Sequence, residues 1–259
     1  MAVATEAAGR LTTLYKKPNE LEFEKIFYPM VLFAKKRYAA VKYVPGTDTV
    51  QRGSLDYKGI SLVRRDSCKF VQDVSKEVLE KILFDRSPQG ALEAAAASVK
   101  RLLDGDVPME ALTLTRALRS HYKNGGDALA HVQVSKKIQE RTGEVVPSGT
   151  RIKFVFILSE EGRCKEDLQG SFAEDVEHVV EQNLQLDYLH YLDHQLVVPV
   201  MTYISATGYT QSDLLQHPIC CGAVQAARAE RSALFKDTKG KRYREENKIR
   251  DIRSFFKKK

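Results

Sequence analysis

The residues best suited to chemistry in this sequence are basic ones that lie next to aromatic residues. Lys35, Lys36, Arg37 and Tyr38 are consecutive and follow an apolar run. Three cations in a strand that otherwise looks buried are costly unless a partner neutralises them. A polyanion would do so, and Tyr38 would add a stacking or hydrogen-bonding edge. The alternative is a solvated strand end whose long side chains reach water, and spacing by itself favours that alternative.

Other reactive side chains do not form a recognisable site. His190 and His194 are four residues apart, a spacing that could hold a metal on one helix face, but no glutamate lies between them and no third ligand is evident. We therefore expect packing or surface roles for both. The cysteines form no CxxC pair, so the sequence supports neither a zinc ribbon nor an iron–sulfur site. With no nucleophile–base set and no P-loop, the sequence predicts no catalytic residue, no metal ligand and no cofactor in this chain.

Composition and charge place the chain among globular proteins. Its 259 residues are 43% hydrophobic and 29% charged, and the net charge is +7. From Arg228 onward there are 13 Lys and Arg against 5 Asp and Glu, so the tail carries the whole excess. Such a tail suits a nucleic acid or an acidic protein surface. No apolar run approaches the roughly 20 residues of a membrane span.

Patterning around the basic run predicts an antiparallel sheet. Residues 21–43 are rich in aromatic and β-branched residues and read as two strands broken at Pro29. Alternation then places Lys36 and Tyr38 on one face, with Lys35 and Arg37 on the other. A return strand is expected to begin at Lys58 and to end at residues 64–66.

The remaining pattern is mainly helical. A helix is expected over residues 1–15. Residues 67–84 and 90–103 have helical periods, and Ser87 and Pro88 mark the start of the second helix, so they predict an αα-hairpin. Short strands are expected at residues 112–116 and 152–158. Further helices are expected at 128–141, 186–196 and 222–235, followed by a charged linker over 239–248. The apolar face of residues 186–200 comprises Leu189, Leu192, Leu196 and Val200. The predicted fold class is α+β.

The order of several motifs resembles the carboxyl end of the palm domain of family B DNA polymerases. These motifs are LEFEKIFYPMVLFAKKRYA, then Lys58-Gly59, then Val63-Arg64-Arg65-Asp66. The resemblance is to the delta-like eukaryotic branch and its relatives in large DNA viruses. Residues 114–118 and 130–132 are similar to the thumb segments ITKEL and AHV of that family.

The resemblance implies a palm segment over residues 1–66, a mainly helical thumb over 67–215, and a helix with a basic flexible tail over 216–259. It implies contacts between basic residues and the backbone of duplex DNA. For Arg64 and Arg65, an ion pair with Asp66 or with nearby glutamates is an equal alternative. Arg119, His121, Tyr122 and Lys123 with two glycines would also suit a phosphate-contacting loop, or an ordinary polar connection. The implied DNA-binding residues are Lys35, Lys36, Arg37, Tyr38, Lys58, Arg64, Arg65, Arg116, Tyr122, Lys123 and Arg151.

Family motifs that carry catalysis do not occur in this sequence. It contains no YGDTDS, no SLYPS-like motif and no fingers-helix motif. The resemblance therefore implies that the catalytic aspartates, with their Mg²⁺, belong to an upstream polymerase chain or to an upstream part of a longer gene product. This chain would be a DNA-directed DNA polymerase, a nucleotidyltransferase, only together with that part.

The carboxyl end carries a degenerate version of a peptide that binds sliding clamps. Ile249, Ile252, Phe255 and Phe256 would place aliphatic and aromatic side chains on one 3₁₀ turn, flanked by cations. Ile249 stands where the full motif has Gln. A folded-back tail is the alternative.

Two functions follow as hypotheses. The first is the carboxyl-terminal part, or a split subunit, of a polymerase that grips primer–template duplex in DNA replication and binds a sliding clamp. It would work in the nucleus or at a viral replication site in the cytoplasm, and no membrane is expected among its partners. The second is a stand-alone DNA-binding or clamp-interaction protein derived from a polymerase thumb. Phe23, Ile26, Phe27, Val31, Leu32 and Phe33 favour the first, because they suit packing into a larger sheet.

Overall fold

The structure is a computed structural model, and its described part contains two three-stranded antiparallel sheets surrounded by helices. This mixed α/β architecture agrees with the predicted combination of small antiparallel sheets and helices. The described residues are 2–43, 55–122, 126, 128–158 and 169–246.

The first sheet follows helix α1 (Ala2–Thr12). It consists of β1 (Ile26–Ala34), β2 (Arg37–Tyr43) and β3 (Leu55–Lys58), antiparallel in the order β1-β2-β3. Ala39, Ala40 and Val41 of the central strand are fully or almost fully buried, so β2 carries the inward face of this sheet.

The first two strands are separated at Lys35-Lys36 and not at Pro29, so the predicted break is wrong. Ala34 pairs with Arg37, which leaves the two lysines as the turn of a hairpin. Lys36 has a left-handed φ of 61°, as tight hairpin turns require. The predicted alternation of these lysines between two faces is also wrong, because they lie outside both strands.

Pro29 lies within β1 because of that strand's place in the sheet. β1 is at the edge of the described sheet, where a missing N–H need not remove a ladder hydrogen bond. The pairing register is irregular between Phe27 and Met30, on either side of the proline. An edge position and a local irregularity therefore accommodate a residue that sequence patterning treats as a strand breaker.

The segment after β3 also differs from its prediction. The return strand ends at Lys58 and does not begin there. Gly59 has a φ of +66°, and a Cβ at this position would lie 2.4 Å from the Lys36 carbonyl oxygen. The absence of a side chain lets the chain turn beside the hairpin, and a 3₁₀ turn follows at Ser61–Val63.

The predicted αα-hairpin is confirmed as α2 (Lys69–Leu83) and α3 (Pro88–Leu103). Ser87 caps α3, because its Oγ accepts a hydrogen bond from the Gly90 N–H at 3.0 Å. Each helix buries one apolar stripe, which includes Val78 and Leu79 of α2 at 0% exposure.

The second sheet begins after α4 (Met109–Leu112). It consists of β4 (Leu114–Ala117), β5 (Arg151–Phe156) and β6 (Ala173–Asp175), antiparallel in that order. Helix α5 (Ala130–Thr142) joins β4 to β5 in the chain and packs against this sheet. The strands and the helix confirm the predicted elements to within a few residues.

The last helices complete the described fold. The predicted apolar face of residues 186–200 is confirmed, because all four of its residues are buried. Helix α10 continues to Glu246, so the predicted charged linker is wrong over residues 239–246. These elements are α6 (Val176–Glu181), α7 (Tyr188–His190), a π-helical turn (Tyr191–Leu196), α8 (Val197–Ile204), α9 (Gln211–Leu215) and α10 (Cys221–Glu246).

One hydrophobic core joins the two sheets and the helical hairpin. It includes Val41 of β2 and Phe154 of β5. The Tyr203 hydroxyl of α8 lies 2.5 Å from Ser61 Oγ, which connects the helical part to the end of the first sheet. The described helices include none that is both long and apolar enough to cross a membrane.

Candidate nucleic-acid interface

The first basic surface is the turn of the β1–β2 hairpin with the end of β3, here called the basic hairpin tip. Lys58 is the register partner of Tyr38, so it lies next to the hairpin. The side chains of all four residues of the tip are exposed, and no carboxylate of the described residues forms an ion pair with them. The basic hairpin tip comprises Lys35, Lys36, Arg37 and Lys58.

Tyr38 is half-buried beside this tip and is already hydrogen-bonded. Its hydroxyl donates to Asp56 Oδ1 at 3.2 Å, and Lys25 Nζ lies 2.8 Å from Asp56 Oδ2. The ammonium group of Lys25 and this hydroxyl hold the pKa of Asp56 below its usual value, against the effect of burial. The Tyr38 ring also packs on Phe27, with centroids 5.6 Å apart. The hydroxyl of Tyr38 therefore already has a structural partner, and its ring already has a packing partner.

The second basic surface is an open cleft of about 450 Å³ beside the second sheet, here called the basic cleft. The β4–β5 pairing places Ala117 opposite Arg151, so basic residues of two strands share one edge. Among the described lining residues, Asp66 is the only acid. The lining includes Arg65, Asp66, Thr115, Arg116, Arg119, Tyr122, Leu129, His131 and Arg151.

Asp66 forms ion pairs with Arg64 and Arg116 but not with the adjacent Arg65. Arg64 forms a two-point ion pair with it, with Nε 3.0 Å from Oδ1 and Nη2 2.8 Å from Oδ2. Arg116 Nη2 is 3.6 Å from Oδ2. The Arg64 hydrogen bonds hold the pKa of Asp66 below its usual value. Arg65 has no side-chain partner among the described residues, and its carbonyl accepts from Thr115 Oγ1 at 3.4 Å.

A hydrogen-bonded polar pair, the buried His131 and the half-buried Tyr122, lies at the cleft wall. His131 is 5% exposed, and its Nε2 is 2.9 Å from the Tyr122 hydroxyl. The same hydroxyl accepts a hydrogen bond from the Arg119 backbone N–H at 2.8 Å. Burial lowers the pKa of His131, and the positive charges of Arg116 and Arg119 lower it further. Both effects favour the neutral imidazole over its charged form.

The structure brings the residues expected to bind DNA into two groups. Arg65, Arg116, Tyr122 and Arg151 line the basic cleft, and Arg64 lies beside it in its ion pair. The lysines at 35, 36 and 58, with Arg37 and Tyr38, lie at or beside the hairpin tip. Lys123 and the expected clamp-binding residues Ile249, Ile252, Phe255 and Phe256 lie outside the described residues.

The set that the family resemblance implied lacks several residues of the cleft, among them Asp66, Arg119 and His131. Arg119 was only part of a suggested phosphate-contacting loop, and Asp66 was considered as an ion-pair partner. Spacing could have indicated Arg119, which lies three residues after Arg116. His131 is buried in the cleft wall. His190 and His194 have ring centroids 4.6 Å apart, and the described residues contain no group of three or more metal-binding side chains.

Comparisons with known proteins agree on one family. The family model described as DNA polymerase family B matches residues 1–207. The chain is 38% identical over 254 residues to a DNA polymerase of Paramecium bursaria Chlorella virus NY2A, covering 97% of this chain and 27% of that protein. It is 34% identical to the DNA polymerase delta catalytic subunit of Plasmodium falciparum (isolate K1 / Thailand), covering 74% of this chain and 17% of that one.

A solved structure has a similar fold. The family B DNA polymerase from the hyperthermophilic archaeon Pyrobaculum calidifontis aligns with a TM-score of 0.56 and 21% identity. The alignment covers 79% of this chain and 25% of that one. The chain thus spans about a quarter or less of the length of these relatives.

Proposed function

This chain belongs to DNA polymerase family B, and we propose that it forms the last palm strands and the thumb of such an enzyme, where it grips primer–template duplex during DNA replication. The proposed palm segment is residues 1–66 and the proposed thumb is residues 67–215. Residues 216–259 would form the carboxyl-terminal helix and basic tail. The basic cleft is the observation that carries this proposal.

The charges of the cleft suit a polyanionic duplex. Double-stranded DNA carries one negative charge per about 1.7 Å of its axis, so several closely spaced cations can each neutralise a phosphate. Arg65, Arg119 and Arg151 line the cleft without a carboxylate partner among the described residues. Contacts of this kind orient a protein on DNA without reading its sequence. A replicative polymerase needs such binding, because it must hold every sequence that it copies.

An exposed apolar face supports a part of a larger enzyme over a stand-alone DNA-binding protein. Tyr28, Met30 and Leu32 of β1 are 57%, 44% and 67% exposed and alternate along one face of the strand. Leu14, after α1, is 77% exposed. Exposed apolar patches of this kind usually mark contacts with other polypeptide. We propose that they contact the upstream palm, in the same gene product or in a separate chain.

The upstream part would supply catalysis. Two-metal phosphoryl transfer needs carboxylates that hold Mg²⁺, and we propose that the metal-binding aspartates belong to that part. This chain would then bind duplex without extending a primer by itself. The proposed place of action is the nucleus or a viral replication site in the cytoplasm.

Co-purification and primer extension test this proposal. The chain should associate with an upstream chain that carries YGDTDS, and only the mixture should extend a primer. The chain should also bind duplex of any sequence, with an affinity that falls steeply as salt rises. A chain that binds duplex but neither associates with the upstream part nor changes its extension would favour the stand-alone alternative. A chain that does not bind duplex would contradict the proposal.

The carboxyl-terminal tail is proposed to bind a sliding clamp. This part of the proposal rests on the sequence alone: two phenylalanines and an aliphatic residue suit a hydrophobic pocket, and the flanking cations suit an acidic rim. Phe255→Ala with Phe256→Ala should abolish clamp pull-down and leave duplex binding intact. Unchanged clamp binding would contradict this part only.

A further inference from the structure

We propose that Tyr122 is a positioning residue, whose hydroxyl, held by His131, orients the backbone of Arg119 so that the Arg119 guanidinium faces a DNA phosphate in the basic cleft. This inference rests on the proposed duplex binding. It differs from the expectation that Tyr122 contacts DNA directly, and it gives the buried histidine a role.

The hydrogen bonds of the Tyr122 hydroxyl point away from a direct DNA contact. The oxygen accepts from the Arg119 backbone N–H at 2.8 Å and lies 2.9 Å from His131 Nε2. In the tautomer with the imidazole proton on Nδ1, the hydroxyl donates its one proton to Nε2, and the buried Nδ1 itself has no hydrogen-bond partner among the described residues. In that tautomer a phosphate would have to displace His131 from the hydroxyl.

The ring of Tyr122 is held as firmly as its hydroxyl. It packs edge-on against the His131 ring, with centroids 5.8 Å apart. Gly126 approaches the same ring so closely that a Cβ there would lie 2.9 Å from the ring atoms Cγ and Cδ2. The half-buried ring is therefore packed against both His131 and Gly126, and these contacts hinder its rotation to stack on a base.

Arg119 is the residue whose backbone these hydrogen bonds hold in place. Its side chain is exposed at the cleft, and its backbone N–H donates a hydrogen bond to the Tyr122 hydroxyl. Residues 119–122 form no helix or strand, so this hydrogen bond and not a regular ladder fixes the Arg119 N–H. Binding costs less entropy when a contacting group is already oriented. Loss of the hydroxyl should therefore weaken binding through Arg119, even though it leaves every charge in place.

Tyr191 provides a matched control. Its hydroxyl also accepts a backbone N–H, that of Phe156, at 3.0 Å, but it is buried outside the basic cleft. Tyr191→Phe and Tyr122→Phe thus make the same chemical change at a tyrosine that satisfies a backbone donor. Both variants should lose stability, and only Tyr122→Phe should alter duplex binding.

The decisive experiment is a double-mutant cycle on the full 259-residue chain, with duplex affinity measured across salt concentration. Arg119→Ala should reduce the slope of log affinity against log salt by about 0.9, the value of one phosphate contact. Tyr122→Phe removes no charge, so it should lower the affinity and leave that slope nearly unchanged. The double variant should bind no more weakly than Arg119→Ala, since Tyr122 acts through Arg119. Additive losses of affinity would overturn the proposal in favour of direct contact by Tyr122. Unchanged affinity in Tyr122→Phe would overturn it in favour of a purely structural role.

Amide hydrogen exchange without DNA separates this inference from the proposed function. Tyr122→Phe should speed exchange of the Arg119 amide, while Tyr191→Phe leaves that amide unchanged. Unchanged exchange in Tyr122→Phe would overturn the positioning role. If exchange responds but the wild-type chain binds no duplex, the proposed function fails, and with it the DNA-binding purpose assigned to this network.

Discussion

At the basic hairpin tip, cations lie on a tight turn whose shape depends on the backbone, whereas in the basic cleft they are oriented by polar side chains. Lys36 has its left-handed φ and Gly59 makes room for its carbonyl oxygen. In the cleft, Asp66 contacts Arg64 and Arg116, and the Tyr122 hydroxyl, next to His131, accepts from the Arg119 N–H. The tip is therefore sensitive to backbone changes, and the cleft to the loss of single polar groups.

Gly59→Ala is expected to cause the largest loss of stability, because it disturbs the backbone that supports the hairpin tip. The left-handed φ and the 2.4 Å approach to the Lys36 oxygen both penalise a Cβ. We expect a loss of about 3 kcal/mol in the free energy of unfolding, measured by denaturant titration.

Gly143→Ala is the matched control for that change. Gly143 has a φ of +75°, but an added Cβ would meet no atom within 4 Å, so only the backbone penalty applies. Its loss should be about 1 to 2 kcal/mol. Equal losses in the two variants would show that the close approach to the Lys36 carbonyl oxygen adds nothing to the cost of the Gly59 substitution.

Glu174→Gln is expected to cause the next largest loss of stability, because it disturbs the contacts of helix α5 behind the cleft. Glu174 is 5% exposed and binds Lys137 and Arg141 of α5, the helix that carries His131. The loss should be about 2 kcal/mol at neutral pH, because hydrogen bonds to charged groups are lost and the two cations remain partly exposed.

The pH dependence of this variant provides a second measurement. Burial alone would raise the pKa of Glu174, but the Asp175 N–H, Arg141 and Lys137 hold it below its ordinary value of 4.5. A depressed carboxyl pKa adds stability above the ordinary value and loses it as pH falls below 4.5. The difference between wild type and Glu174→Gln should therefore shrink in acid; a constant difference would contradict the ion-pair explanation.

Single charge removals compare the two surfaces in DNA binding. Lys36→Ala at the tip and Arg116→Ala in the cleft should each reduce the salt slope of duplex affinity by about 0.9, equally for all duplex sequences. Lys100→Ala removes a lysine that pairs with Asp104 on α3, away from both surfaces, and should change the slope little. A loss confined to one DNA sequence, or an equal loss in the control, would contradict phosphate contact at that surface.

The smallest expected effect is a pH dependence of stability due to His131. Its pKa is lowered in the folded state by burial and by Arg116 and Arg119, so the unfolded chain binds more protons near its ordinary pKa of 6.5. Stability is therefore complete above that ordinary value and declines as pH falls from 6.5 toward the lower folded value. Between about pH 7.5 and about pH 5.5, wild type should lose more stability than His131→Gln, and parallel profiles would contradict this assignment.

Local signals predicted the elements that depend on neighbouring residues. Ser87 and Pro88 marked the start of α3, and the periodic apolar residues that include Leu192 and Leu196 are buried in the structure. These predictions succeeded because capping and helical periodicity act within one or two turns. The position of the hairpin turn was missed because Pro29 is tolerated on an edge strand, and edge position is a property of the sheet.

The sequence by itself determined the family, the α2–α3 hairpin and the presence of basic clusters, since these follow from motif order, short-range spacing and composition. Only the tertiary structure decided which cations act together. Arg65, Arg119 and Arg151 are far apart in the chain. The pairing of β4 with β5 brings Arg119 and Arg151 to one cleft, and the hydrogen bond from Thr115 to the Arg65 carbonyl brings Arg65 there. It also decided that Asp66 holds Arg64 and that the Tyr122 hydroxyl faces His131, because such contacts depend on distances that no sequence interval specifies.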